Sequence, residues 1–386
     1  MKICIVGGFF LPMPAVAGGA TEKTWTRLGS FFAQQGHDVT VISRDWSGLA
    51  NGEEIEGVRF LRLRGYQHSS SLGWNLVKDF WWSIKVTFKL TKYDILVVNT
   101  VFLPVWVRWI RPRSGRLVIM TGRVPKGQYR LYSRVDLAVA ASTAILKQVA
   151  KENAKLGQVG RIYGYPIDFG LLNQNQSAHP EPPSADFCIR IGFIGRIHRE
   201  KGISQLIDAL IILSRRGNLA PWKSIICGPV DVAQGGSGEA YLAGELQRLK
   251  AYLSADQVEL ISPEYQPERL AKIYRGLDIF VLPSLSENGE TFGVAAVEAM
   301  AAGCAVITSR LACFRDYLTP EESGLSYNHR SPEAASLLAS CLARLVNDAD
   351  LRNKLAIRGS EVAQNYDFEV FGKRLLADFE GLSSKS

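Results

Sequence analysis

Short apolar runs of the kind that form buried strands return along the whole chain, and stretches with helical periodicity separate them. The runs lie at 2–6, 37–43, 94–99, 116–120, 136–140, 189–194, 224–227, 258–261, 278–282 and 305–309. Such alternation predicts parallel sheets covered by helices. Because 386 residues exceed what one hydrophobic core usually serves, we expect two Rossmann-like α/β domains, one in each half.

Two glutamates flank the point where the apolar run 279–283 gives way to a helix of small residues opening near Gly293. Glu298 is the only charged side chain in 293–302, so we expect it at a packed interface, compensated by a ligand's hydroxyl pair or a distant cation. Glu290 lies in the loop at the strand's carboxyl end, where open α/β sheets bind ligands. The pattern indicates one carboxylate for a ribose and one for a sugar. The alternative is that Glu290 is a helix-opening acid that complements the helix dipole and that Glu298 is a structural ion-pair partner.

Charged residues crowd the loop between the run 189–195 and an amphipathic helix expected at 203–213, namely Arg196, His198, Arg199, Glu200 and Lys201. Cations at a helix N-terminus oppose the macrodipole, so this placement is unfavourable unless an anion docks there. A bound diphosphate would offset the cost of this placement. The alternative is that these residues are ordinary solvated loop charges. A lone histidine is a weak signal, so His198 is interpreted as a loop residue.

The amino terminus offers a glycine-rich loop before its first helix. Gly7 and Gly8 follow the run 2–6, and Gly18, Gly19 and Thr21 precede a helix that ends near Gly36, with Thr21 as the expected N-cap. Backbone N–H groups can approach a ligand at such a point. The loop lacks the Gly-x-Gly-x-x-Gly spacing of a dinucleotide site, which argues against an NAD enzyme. Glycines that only turn the chain remain the alternative.

Two of these motifs carry a family resemblance. The segment 283–303, Pro-Ser-Leu-Ser-Glu-Asn-Gly-Glu-Thr-Phe-Gly-Val-Ala-Ala-Val-Glu-Ala-Met-Ala-Ala-Gly, resembles the signature of glycosyltransferase family 4, retaining enzymes of the GT-B fold. The segment 195–202, Gly-Arg-Ile-His-Arg-Glu-Lys-Gly, resembles the family's Gly-Arg-x-x-x-x-Lys-Gly element. The resemblance implies two Rossmann-like β/α/β domains facing each other across a deep cleft, with a C-terminal helix that crosses back to the first domain.

The resemblance also implies roles for individual residues. Glu290 would contact donor-sugar hydroxyls and Glu298 the nucleotide ribose, while Arg196 and Lys201 would clamp the donor phosphates and act in catalysis together with Glu290. Donor contacts are further expected from Gly18, Gly19, Thr291, Phe292 and Gly293. Thr291 departs from the family, which usually has Gly there. Many members have a His where this chain has residues 120–123, Met-Thr-Gly-Arg. The absence of this histidine favours front-face attack by the acceptor. Arg123 is expected to contact the acceptor or a phosphate.

The domain boundary is expected at two irregular stretches, 164–168 and 173–186. In the family an Asn-Gly-Val/Ile-Asp sequence closes the first domain, and here Gly164 and Tyr165 stand at the Asn-Gly positions. We therefore assign 1–168, with 366–386 packing back on it, to an acceptor-binding domain and 169–365 to the nucleotide-sugar donor domain.

Charge divides unevenly, since residues 1–165 hold 23 Lys and Arg against 10 Asp and Glu in a chain of net charge +8. Such a surface attracts anionic partners. Residues 74–90 interleave tryptophan and phenylalanine with lysine, which is typical of a helix at an anionic membrane interface, although ordinary core packing is the alternative. Nucleic acid is not expected, because the chain has no zinc spacing, helix-turn-helix or RNA-binding motif.

Six scattered cysteines without Cys-x-x-Cys spacing indicate reduced core thiols, and five scattered histidines predict no metal site and no cofactor. The chain shows no signal peptide or membrane span, so a cytoplasmic location is expected, with peripheral contact at the inner membrane face as an open alternative.

Together these observations predict a retaining, metal-independent glycosyltransferase that moves a hexose, with UDP-glucose as the first choice of donor, to a saccharide or lipid-linked saccharide acceptor in polysaccharide or glycoconjugate biosynthesis. A GT-B-fold sugar-nucleotide epimerase and a catalytically silent nucleotide-binding scaffold remain alternatives, because a fold does not fix a reaction. The acceptor, the linkage and the oligomeric state are not evident from the sequence.

Overall fold

The computed structural model describes residues 1–17, 19–174 and 188–384. The chain divides into two compact units: unit 1 comprises Met1–Pro166 with Phe368–Ser386, and unit 2 comprises Ile167–Asp367. Of the two stretches expected at the domain boundary, most of 173–186 lies outside the described residues.

Unit 1 contains an eight-stranded sheet in the order β3-β4-β2-β1-β5-β6-β7-β8. Its strands are β1 (Lys2–Val6), β2 (Asp38–Arg44), β3 (Glu54–Ile55), β4 (Val58–Leu63), β5 (Ile95–Val98), β6 (Arg116–Thr121), β7 (Leu137–Ala140) and β8 (Gly160–Ile162). Pairing is parallel except between β3 and β4. A parallel sheet must be covered on both faces, which explains why its central strands are mostly apolar.

Helices cover both faces of this sheet: α1 (Ala20–Gln34), α2 (Leu72–Lys89), α3 (Leu103–Ile110), α4 (Thr143–Glu152) and α5 (Ala154–Gln158). Because side chains alternate along a strand, Ile3 and Ile5 of β1 pack in one cluster with Trp25, whereas Cys4 packs in another with Trp82. The expectation of Thr21 as the N-cap is wrong. The N-cap position of α1 is Gly19, two residues earlier, so Thr21 lies inside the helix.

Unit 2 contains a six-stranded parallel sheet in the order β11-β10-β9-β12-β13-β14. Its strands are β9 (Ile189–Ile194), β10 (Trp222–Cys227), β11 (Val258–Ile261), β12 (Ile279–Leu282), β13 (Ala305–Ser309) and β14 (Leu325–Tyr327). Its helices are α6 (Phe169–Leu172), α7 (Ile203–Ser214), α8 (Glu239–Lys250), α9 (Pro267–Arg275), α10 (Val294–Ala301), α11 (Ala334–Asn347) and α12 (Ala349–Ala363). Two Rossmann-like parallel-sheet units confirm the expected α/β fold class.

The last helix, α13 (Phe368–Ser383), belongs to unit 1. Phe371, Leu375 and Phe379 enter the same core cluster as α1, and the rings of Phe379 and Phe32 lie 5.7 Å apart. This confirms the expectation that the final helix returns to the first domain.

The strands that the sequence did not predict are short or peripheral. In β4, buried Val58 and Phe60 alternate with charged Arg59, which is the pattern of a sheet flank rather than of a buried centre. β3, β8 and β14 contain two or three residues each, too few to produce a periodic signal.

Candidate active site

Two loops of unit 2 meet at one edge of its sheet. The basic loop follows β9, and the loop that carries Glu290 follows β12. These strands are neighbours, with Ile279 opposite Ile191 and Phe280 opposite Gly192. Since parallel strands end at the same edge, residues far apart in sequence come together here.

Lys201 and Glu290 form an ion pair at this edge. Lys201 Nζ donates to Glu290 Oε2 over 2.5 Å, and Ser284 Oγ donates to the same oxygen over 2.9 Å. The side chains are only 14% and 11% exposed, so the pair is partly withdrawn from water. An ammonium group has three donors, which allows Lys201 to contact Glu290 and a phosphate oxygen together.

A glycine fixes the shape of the basic loop. Gly202 has φ of +74°, and a Cβ at this residue would lie 2.1 Å from the carbonyl oxygen of Pro283. Leu285 N–H also donates to the carbonyl oxygen of Glu200 over 2.7 Å. The loop is therefore held directly against the segment that leads to Glu290.

His198 contributes to the loop's conformation. Its Nδ1 accepts from Glu200 N–H over 3.2 Å and so caps the short 3-10 turn Arg199–Lys201. Sequence reasoning identified it only as a loop residue. Arg196 is half-buried, and its Nη1 donates to the carbonyl oxygen of Gly235 over 3.0 Å. Arg196 thus lies on the loop of the ion pair, with its guanidinium held by the segment after β10.

Glu298 accepts a hydrogen bond from Tyr274, a residue that sequence reasoning missed. The phenol of this fully buried tyrosine on α9 donates to Glu298 Oε2 over 2.8 Å. Burial raises the pKa of Glu298, and the hydrogen bond from Tyr274 opposes that rise. A neutral phenol from the adjacent helix thus supplies one hydrogen bond, a partner that the expectation of a ligand's hydroxyl pair or a distant cation did not include. Glu298 as a whole residue is partly buried.

The residues after Glu290 shape the start of α10. Phe292 is fully buried, with its ring 5.2 Å from each of the rings of Tyr317 and Tyr366, so only its backbone could reach a donor. Gly293 is the N-cap with φ of +83°, and a Cβ there would lie 2.5 Å from the Phe314 ring. Thr291 is partly exposed beside Glu290.

Unit 1 has a cavity of about 390 Å³ at the carboxyl ends of β1, β5 and β6. Gly8, Thr100 and Arg123, which follow these strands, contribute to its lining together with Gly19. Gly19 has φ of +98°, and a Cβ there would lie 2.1 Å from Glu22 Oε2. Gly18 lies outside the described residues. The structure thus assigns Gly19 and Arg123 to one concave site.

Two buried carboxylates line the same cavity, and sequence reasoning missed both. Burial raises the pKa of Glu22, against the opposing influence of the Arg123 guanidinium. Burial also raises the pKa of Asp79 to about 6, although Oδ2 accepts from Phe102 N–H over 2.9 Å and from Val101 N–H over 3.0 Å. The available signal was that Asp79 is the only acidic residue in α2.

Within residues 1–17, 19–174 and 188–384, no group of three or more His, Cys, Asp and Glu is arranged to hold a metal ion. Cys4, Cys227, Cys304 and Cys313 are buried free thiols. No helix in the same ranges has the length and apolar character needed to cross a membrane.

Comparison with known families gives one match in each half of the chain. Residues 178–362 match the family model described as Glycosyl transferases group 1, and residues 18–159 match the model for Glycosyltransferase Family 4. Together the two ranges cover most of the chain.

Individual relatives are more distant. A phosphatidyl-myo-inositol mannosyltransferase of Propionibacterium freudenreichii is 23% identical over 96% of this chain and 93% of its own length. A D-inositol 3-phosphate glycosyltransferase of Corynebacterium urealyticum is 30% identical over 50% of this chain, and that match spans only 43% of the relative.

Solved structures share the fold over the full length. Sucrose-phosphate synthase from Thermosynechococcus elongatus superposes with a TM-score of 0.76 at 21% identity, with complete coverage of both chains. The Anabaena protein Alr3699/HepE in complex with UDP superposes with a TM-score of 0.72 at 15% identity, over 99% of this chain and 100% of that chain.

Proposed function

Since the chain belongs to glycosyltransferase family 4 and has the GT-B fold, we propose that it transfers a hexose from a nucleoside diphosphate sugar to a hydroxyl-bearing acceptor with retention of configuration. The observation that carries this proposal is the Lys201–Glu290 pair at the edge of the unit 2 sheet. It supplies a cation for a leaving diphosphate beside a carboxylate for sugar hydroxyls.

The donor is proposed to bind along this edge of unit 2. Glu298 would accept hydrogen bonds from the ribose hydroxyls and keep the hydrogen bond that Tyr274 donates to it. Arg196 and Lys201 would contact the diphosphate, and Glu290 the sugar. Backbone N–H groups at the start of α10, next to Gly293, would add donors for an anionic oxygen.

The reaction would proceed by attack from the side on which the phosphate leaves. An acceptor oxygen bonds to the anomeric carbon, the bond from that carbon to the phosphate oxygen breaks, and the acceptor's proton passes to the departing phosphate. Negative charge grows on the diphosphate as the sugar becomes oxocarbenium-like. Preorganised cations at that point lower the barrier, so Arg196 and Lys201 would serve where other enzymes use a metal ion.

The acceptor is proposed to bind in the unit 1 cavity. Glu22, Asp79 and Arg123 line it, and this mixture of carboxylates and one guanidinium suits a ring with many hydroxyls. Two relatives are named for inositol-containing acceptors, which supports a polyol or saccharide, free or lipid-linked. UDP-glucose remains our first choice of donor, supported by the UDP complex of a protein with the same fold, and a mannose donor is the competing choice.

The test is a screen of nucleotide sugars for thermal stabilisation, followed by product analysis with inositol, inositol phosphate and saccharide acceptors. The proposal expects nucleotide release that depends on an acceptor and a new glycoside that keeps the donor's anomeric configuration. Nucleotide release with an isomerised sugar and no acceptor would instead indicate an epimerase. Binding without turnover for every acceptor would contradict the proposal, and Glu290→Gln provides the control for site-dependent activity.

A further inference from the structure

Helix α2 presents large apolar side chains on two opposite faces. Trp82 and Val86 are buried against the unit 1 sheet, whereas Trp74, Trp81 and Phe88 are 64%, 54% and 70% exposed. The exposed three are spaced seven residues apart, so they form one stripe along the helix. At 1.5 Å per residue this stripe is roughly 20 Å long. The alternative of ordinary core packing for this segment is therefore correct for one face only.

Helix α3 extends the stripe. Trp106 Nε1 donates to Thr87 Oγ1 over 3.0 Å, and the Arg111 guanidinium lies 6.0 Å from the Phe88 ring, which fixes α3 beside the end of α2. Trp109 and Ile110 on α3 are 60% and 56% exposed, and the Arg134 guanidinium lies 3.5 Å from the centre of the Trp109 ring. We name the set Trp74, Trp81, Phe88, Trp109 and Ile110 the aromatic face. Monomeric soluble proteins normally scatter such residues singly, so a concentration on two adjoining helices indicates an interaction surface.

The surroundings of the aromatic face are basic. Residues 72–113 contain seven Lys and Arg and two Asp. Asp79 is buried, and Asp94 accepts from Lys2 N–H over 2.7 Å. Lys78 and Lys85 donate to the carbonyl oxygens of Gln67 and Arg64, which keeps their charge along the flank of α2. Asp94 is therefore the only exposed acid in residues 72–113, against seven basic side chains.

From this geometry we propose that the aromatic face docks on the surface of an anionic lipid bilayer, with α2 lying in the headgroup region. Tryptophan favours the boundary between water and hydrocarbon, because its ring is apolar and its N–H is polar. Each Lys or Arg near an anionic leaflet contributes about 1 kcal/mol of attraction. An excess of basic side chains around an apolar stripe matches that partner. The proposal goes beyond the sugar transfer and does not depend on the identity of its donor.

The experiment uses the full chain and sedimentation with vesicles of phosphatidylcholine, either alone or with about one third phosphatidylglycerol. We expect binding to the anionic vesicles, weakening at high salt, and a blue shift of tryptophan fluorescence. The variant with Trp74→Ser, Trp81→Ser and Phe88→Ser should partition at least roughly tenfold less. The variant with Lys89→Glu, Lys92→Glu and Arg113→Glu should lose its preference for anionic vesicles.

Matched controls lie on unit 2, where Tyr252, Leu337 and Ile357 are also exposed. Changing these three to Ser should leave vesicle binding unchanged. Thermal unfolding and turnover of a water-soluble acceptor should remain at wild-type values in every variant, because none of these residues touches the sites described above. Absence of vesicle binding by the wild type, or equal binding by the aromatic variant, would overturn the proposal. A wild-type dimer that the aromatic variant converts to monomer, without vesicle binding, would assign the surface to a second copy of the chain.

Discussion

Lys201 Nζ lies 2.5 Å from Glu290 Oε2, although 89 residues separate the two in sequence. The pair exists because β9 and β12 are neighbours and both loops leave the same edge of the sheet. Each side chain also determines the charge environment of the other. A change at either residue therefore acts on the phosphate and sugar parts of the proposed donor site together.

Removal of a cation from the basic loop should slow the reaction. We expect Lys201→Ala and Arg196→Ala each to lower turnover by roughly 10² or more, the scale seen when one preorganised donor is removed. The measurement is the initial rate at saturating donor. Lys223→Ala is the matched control, because Lys223 pairs with Glu259 on the same unit and belongs to no site described above. Near-native rates in either loop variant would rule out a phosphate role.

The two glutamates should differ in their effect on nucleotide binding. Glu298→Gln should weaken free nucleotide and intact donor equally, by about 1–3 kcal/mol for a hydrogen bond to a charged group. Glu290→Gln should lower turnover but leave free-nucleotide affinity unchanged or higher, because Lys201 then loses its carboxylate partner. Calorimetry with free UDP and with donor separates the two. Equal weakening of free nucleotide by both variants would show that Glu290 does not serve the sugar.

Asp79 should make stability depend on pH in one window. Its pKa is raised to about 6 from 3.8, so between these values the folded state binds more protons than the unfolded state, and stability falls as pH rises. The difference in free energy of unfolding, wild type minus Asp79→Asn, should fall by on the order of 3 kcal/mol between pH 3 and 7. It should be constant above pH 7. Urea unfolding across this range provides the measurement, and a constant difference throughout would contradict the assignment.

Chelation should leave catalysis intact. Arg196 and Lys201 are proposed to neutralise the departing diphosphate, so we expect the initial rate in excess EDTA to equal the rate without it. The control adds Mg²⁺ or Mn²⁺ back to the chelated enzyme. Activity that disappears with EDTA and returns with metal would show that these cations do not replace a metal ion.

Gly202 should tolerate no side chain. Its φ of +74° and the 2.1 Å approach of a Cβ to the Pro283 carbonyl oxygen require the basic loop to move in Gly202→Ala. We expect a loss of stability on the order of 2 kcal/mol and a lower turnover, because Lys201 is the adjacent residue. Gly217→Ala is the control, since a Cβ there meets nothing within 4 Å. Denaturant midpoints and initial rates check both.

The sequence predicts those parts of the molecule that depend on local pattern. The central strands of both sheets are mostly apolar runs, and the loops with Arg196 and Glu290 follow two of them. Contacts made through tertiary packing leave no local signal, so Tyr274 could not be linked to Glu298 before α9 and α10 were known to adjoin. Glu22 and Asp79 also gave no local signal of a shared site, because they come from two different helices that line one cavity.

The aromatic helix illustrates a second limit of sequence reasoning. Trp81 and Trp82 are adjacent and identical, but one is exposed and the other fully buried. Periodicity alone gives two apolar stripes on α2 and does not say which one faces the sheet. That choice depends on the position of β1 and β5, whose residues Cys4 and Leu96 pack in the cluster of Trp82.

Helix α13 makes the order of protein synthesis matter for unit 1. Ribosomes produce residues 1–166 first, but Phe371, Leu375 and Phe379 of the same core emerge only after all of Ile167–Asp367. The nascent first half therefore carries an apolar site beside Phe32 that nothing fills for most of translation. Unit 2, which is one continuous stretch of chain, can complete its core earlier. Unit 1 can therefore complete its core only after unit 2 has been synthesised, although domains generally fold in order from the N-terminus.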